Sequence, residues 1–159
     1  MAVINAYKLS EAQKSTVNGA QVIAIAGNFE TVNGDTAASK YRLCKVGADW
    51  IPIQIEINND AIAGATDMDL GLYTTLEKGG AAKDADVFMD GTDINGGSAL
   101  GSEVSGLSNI DVDSIGDQCY AYAGDSDPSE QMYDLVLTSN ANITGAGTIA
   151  IRALFARAA

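Results

Sequence analysis

Residues 50–58 read WIPIQIEIN, in which Ile51, Ile53, Ile55 and Ile57 share one parity and Pro52, Gln54, Glu56 and Asn58 the other. A period of two is the signature of a strand with one buried and one wet face. The β-branched side chains add to the strand preference. Pro52 cannot donate to a ladder and so marks a strand edge or start. Burying four isoleucines contributes on the order of 6–12 kcal/mol before chain entropy is subtracted. A single Ile53→Asp change is accordingly expected to prevent folding.

Other segments carry shorter versions of the same pattern. QVIAIAG at 21–27 is an apolar run closed by Gly27, and Asn33-Gly34-Asp35 signals a turn. Tyr41, Leu43 and Lys45 alternate with Arg42, Cys44 and Val46; Leu70 and Leu72 alternate with Tyr73 and Thr75. Val87-Phe88-Met89 is a short apolar patch ahead of a Gly- and Ser-rich stretch at 91–109, which reads as a long surface excursion with little to bury. Met132, Asp134, Val136 and Thr138 alternate with Tyr133, Leu135 and Leu137, and a last strand places Ile149, Ile151 and Ala153 on one parity. The period changes only at 111–123, where Ile115, Cys119 and Tyr122 fall on one face of a short helix. Asp113 or Ser114 is placed to cap that helix and Gly124 to end it.

About seven short strands, turn-rich connections and at most one short helix predict an all-β, antiparallel β-sandwich occupying residues 20–159 as a single domain. Residues 1–19 hold neither period and form either a first edge strand or an arm that packs on a partner, with Val3, Ile4, Tyr7 and Leu9 as its apolar residues.

Composition narrows the chemistry. The 159 residues include no His, which removes His-based acid/base catalysis and every His-containing metal site. Cys44 and Cys119 stand alone, far apart in the chain, and are expected to be buried, reduced thiols. The calcium-like run from Asp84 fails in register, with Phe88 and Met89 where a ligand and a glycine belong. Asp111/Asp113 and Asp125/Asp127 are equally weak clusters. Neither a nucleophile elbow nor a phosphate-binding loop is present, and Trp50 fits a packing role at a strand start. No metal, cofactor or catalytic site is expected, and the chain reads as a non-enzyme. No apolar run is long enough for a membrane helix, and the first 15 residues do not form a secretory signal.

Charge is distributed unevenly. The formal charge is −12, and residues 84–151 hold twelve acids and no Lys or Arg, with Arg152 and Arg157 following. Such a chain is a poor ligand for nucleic acid. At a radius near 19 Å its screened self-energy is roughly 4 kcal/mol, so contacts between copies should be apolar and local.

Three segments, taken together, resemble a known family. WIPIQIEINNDAIAGATDMDLGLYTT, GGAAKDADVFMDGTDI and YDLVLTSNANITGAGTIAIRALF, within residues 50–94 and 133–155, are similar in order and spacing to small auxiliary head proteins of tailed bacteriophages. The resemblance implies a jelly-roll-like sandwich acting as a capsid cement or decoration protein. It further implies attachment to the major capsid protein outside the shell, at junctions between capsomers, in a virion assembled in the host cytoplasm. A homo-oligomer, dimer or trimer, is expected. For such a protein the apolar arm residues Val3, Ile4, Tyr7 and Leu9 and the cations Arg152 and Arg157 are the candidate capsid or subunit contacts. A carbohydrate-binding β-sandwich, lectin or adhesin, is the alternative.

Overall fold

A computed structural model describes residues 3–5, 13–17, 20–99, 101–128 and 130–157. Ten strands run through them: β1 (Val3–Asn5), β2 (Gln13–Val17), β3 (Ala20–Thr31), β4 (Ser39–Gly47), β5 (Trp50–Asn59), β6 (Met68–Thr74), β7 (Ala82–Thr92), β8 (Val104–Ser105), β9 (Met132–Ser139) and β10 (Gly147–Arg157). A 3₁₀ turn (Leu76–Lys78) and a four-residue helix, α1 (Cys119–Tyr122), are the helical pieces among the described residues.

The strands form two five-stranded sheets, in the orders β1-β4-β9-β6-β7 and β2-β3-β10-β5-β8. From β3 onward every connection crosses from one sheet to the other, except β6 to β7, which pair directly. Strands from opposite ends of the chain thus become neighbours, β3 with β10 and β4 with β9. That order is a jelly roll, two interleaved Greek keys. The pairs are antiparallel except β1, which runs parallel to β4 at the sheet edge.

Between the sheets lies one core, with Tyr41, Leu43, Leu70, Leu72, Tyr133, Leu135 and Leu137 from the first and Ile23, Ile55, Ile57, Ile149, Ile151 and Phe155 from the second. The alternation of β10 is as expected, Ile149, Ile151, Ala153 and Phe155 being buried and Arg152 exposed. Both cysteines are buried and free.

β5 departs from its simple pattern. Ile55 and Ile57 are buried opposite Ala153 and Ile151, but Ile53 is 52% exposed and Ile51 only half-buried. The four isoleucines therefore do not share a face. The ladder to β10 runs from Gln54–Leu154 directly to Pro52–Phe155, leaving Ile53 as an extra residue. A bulge of this kind reverses the parity of everything before it. Pro52 lacks the N–H that an unbroken ladder would require, and Trp50 joins the inner side instead, its ring 5.7 Å from that of Phe155. The expectation for Ile53→Asp is corrected accordingly: an exposed residue at a bulge tolerates the charge.

The helix expected over 111–123 contracts to its last turn. Residues 111–117 make two consecutive turns, Ser114 N–H to Asp111 O and Asp117 N–H to Ser114 O, and Gly116 has φ +98°. A left-handed residue interrupts a helix, so Ile115 is 75% exposed and neither Asp113 nor Ser114 caps α1, which starts after Gln118. Gly124, with φ +75°, follows its end as expected.

The excursion after β7 is better anchored than its composition suggests. Asn59 donates to the carbonyls of Ile94 and Asp60, each at 2.6 Å, and Ser98 bridges back to Asn59. Ile94 is buried, and β8 then adds to the edge of β5 at Glu56 and Ile57. A second irregularity shapes β7. Leu70 pairs with Met89 and Leu72 with Asp84, so residues 85–88 bulge opposite Gly71, where a Cβ would lie 2.2 Å from the Asp84 carbonyl oxygen.

Candidate interaction surfaces

The buried thiols are the first chemical groups the fold tunes. Burial, and then the charge of Asp134, pushes Cys44 up to about 12 from its ordinary 9.0; burial also raises Cys119. The folded state therefore favours the neutral thiol. Stability on this ground is complete below about pH 9 and falls as pH rises towards 12, because the unfolded chain ionises first. Burial likewise raises Tyr41 and Tyr133, which add to the loss above their ordinary 10.0. Denaturant titrations from pH 8 to 11 are expected to show a falling unfolding free energy, with a shallower slope in Cys44→Ala.

Neighbours tune the acidic clusters individually. Asp125 lies below its usual range because Lys83 (2.6 Å) and the Tyr133 hydroxyl (2.5 Å) both bond to it. Asp84 is raised, by burial first and then by its hydrogen bond with Asp86. Among the described residues no three Cys, Asp or Glu converge on a point that would hold a metal ion.

One charged site is fully internal. Arg42 on β4 bonds Asp134 on β9 at 2.5 Å, with side-chain exposures of 2% and 0%. The guanidinium also donates to the carbonyls of Gly80 (2.8 Å) and Thr74 (3.3 Å), and its carbon stands 5.7 Å from the Tyr73 ring centre. Asp134 in turn accepts from Leu76 N–H at 3.1 Å. The pair ties β4 and β9 to the turn between β6 and β7, and Gly80 is small where a Cβ would sit 2.4 Å from the guanidinium. Sequence reading missed it; the available signal was a lone Asp between Tyr133 and Leu135 in an otherwise uncharged strand.

The residues expected at an interface are spread over both sheets. Val3 and Ile4 lie on β1, opposite Lys40 and Tyr41 of β4. Tyr7 and Leu9 fall outside the described residues. Arg152 and Arg157 stand on β10, in the other sheet. Both are half-exposed and satisfied within the chain, Arg152 by Glu56 (2.6 Å) and Glu103 (2.8 Å), Arg157 by Asp49 (2.9 Å).

The surface also carries several hollows, two of which have an aromatic or apolar lining that bears on binding. An open cleft of about 600 Å³ lies beside Asp49, Trp50, Gln131 and Arg157, but the Trp50 indole is turned inward, against Phe155 and over Gly47. The second, of about 200 Å³, is apolar and lies between Ile53 and Ile115.

No family model matches the sequence, and no curated protein matches it. Solved structures do. A chain of the capsid of Ralstonia phage GP4 superposes with a TM-score of 0.63 at 13% identity over 99% of both chains. A chain of the capsid asymmetric unit of cyanophage Pam1 gives 0.55 at 14% over 93% of both. The fold is one that phage capsids use. At these identities the likeness is one of fold, and it extends over nearly the full length of each chain.

Proposed function

We propose that this chain is a structural virion protein that binds the outside of a phage capsid, through the major capsid protein, and stabilises the shell where capsomers meet. The observation that carries the reading is the superposition on chains of two phage capsids, over 93% and 99% of each chain rather than over a shared sub-motif. The jelly-roll strand order and the outward acidic surface support it. Many weak, equivalent attachments across a lattice supply avidity without any single tight contact. Mutual repulsion between copies at −12 favours occupancy of separate lattice sites over aggregation in solution. In this reading residues 1–19 form the attachment arm and 20–159 the body, the protein is not an enzyme, and its oligomer, if any, is held by apolar contacts.

The test is co-sedimentation of the purified chain with empty shells of the virus that encodes it. The full chain is expected to pellet with the shells. Deleting residues 2–12 is expected to abolish pelleting while leaving the melting temperature nearly unchanged, since β1 contributes only three residues to a sheet edge. Unchanged occupancy would refute the arm, and failure of the full chain to pellet would refute the capsid role. The lectin alternative has only the cleft beside Trp50 in its favour. It would be supported instead by specific signals on a glycan array.

A further inference from the structure

Two unrelated departures from regular structure turn aliphatic side chains outward at the same place. The β5 bulge exposes Ile53, and the double turn at 111–117 exposes Ile115 at 75% and Val112 at 81%. Ile53 and Ile115 face one hollow with Pro52, Leu107, Ile110 and Tyr122. The turn is held rather than loose: besides its own hydrogen bonds, the Tyr122 hydroxyl donates to Ser114 O, and the Tyr122 ring is fixed edge-on against Phe88 at 5.4 Å. A contiguous apolar ledge kept in water by ordered backbone marks an interaction site.

The surrounding charge identifies the kind of partner. Asp111, Asp113 and Asp117 are exposed, and none is in an ion pair among the described residues. The cations that the fold brings against this stretch, Lys78, Lys83 and Arg152, are engaged by other carboxylates, Glu130, Asp125 and Glu103. A second copy meeting this ledge with its own would bring three more carboxylates against these three, which like-charge repulsion opposes. We infer that the ledge of Ile53, Ile110 and Ile115 docks a protein surface with an apolar centre and a Lys- or Arg-bearing rim. The apolar contact holds the complex, and the carboxylates steer the approach and fix its orientation. This site lies apart from the β1 arm and deepens the proposed capsid role, on which it rests for the identity of the partner.

The decisive comparison uses the same empty shells with three full-length proteins: the natural chain, Ile53→Ser/Ile115→Ser, and Asp111→Asn/Asp113→Asn/Asp117→Asn. The isoleucine double variant is expected to melt like the natural chain yet bind at least about tenfold more weakly. The asparagine variant is expected to bind more weakly at low salt, with the difference closing near 0.5 M salt as screening shortens. If the natural chain pellets and the double variant pellets equally well, the ledge is not the docking site, although the capsid role stands. If sedimentation equilibrium shows self-association of the natural chain that the isoleucine substitutions abolish, the occupant is a second copy and the inference is overturned. If the natural chain does not pellet at all, the capsid role fails and this assignment fails with it.

Discussion

Ile55→Asp is expected to leave the chain unfolded at room temperature. Ile55 is 1% exposed, sits opposite Ala153 and packs into the core between the two sheets. Removing its side chain alone forfeits about 2–5 kcal/mol. Placing an unpaired carboxylate there adds several kcal/mol more, or forces the group to remain protonated. Together these approach the whole stability of a typical domain, about 5–15 kcal/mol. Ile53→Asp, two residues away, is expected to melt within about 0.5 kcal/mol of the natural protein, as surface substitutions do. Circular dichroism melts of the two variants side by side read both outcomes. Equal melts, or the reverse order, would show that the ladder between β5 and β10 does not shift at Pro52.

This pair also marks how far the chain could be read before its structure was known. Strand existence was legible, because alternation along 50–58 and 132–138 follows from burying one face. The bulge was not legible: one extra residue inverts parity for Trp50 to Pro52 while leaving the printed alternation untouched. The same limit applies at 111–117, where Ile115, Cys119 and Tyr122 have helical spacing but Gly116 takes φ +98° and breaks the helix. The class of fold followed from local pattern, and the pairing of β3 with β10 did not, since it joins residues more than a hundred positions apart. For the interface, the exposed acids were visible as a charge imbalance. The apolar ledge was hidden because Ile53 and Ile115 both looked like core residues.

The second large effect is expected at the internal ion pair. Asp134→Ala leaves the Arg42 guanidinium buried at 2% exposure without its carboxylate, and releases the Leu76 N–H as well. Breaking a buried pair from one side costs about 3–5 kcal/mol. At this chain length that corresponds to a fall in melting temperature on the order of 10 °C. Arg42→Met should cost a similar amount, because it removes the guanidinium from the buried Asp134 carboxylate and from the carbonyl of Gly80. The double variant Arg42→Met/Asp134→Leu is expected to recover much of the loss, since an apolar pair of similar volume removes the desolvation cost of both charges. A double-mutant cycle by chemical denaturation measures this. Additive losses would mean that the two residues act independently and that the tie between β4, β9 and the β6–β7 turn is not a coupled one.

The capsid role itself is tested most directly by cryo-electron microscopy of the virus particle. If the chain is an exterior stabiliser, each junction between capsomers carries density that fits the jelly roll of β3–β10, with the 111–117 ledge turned towards the shell and the strongly acidic surface beside it meeting basic residues. Particles that lack the chain altogether, or hold it inside the shell, would contradict that role.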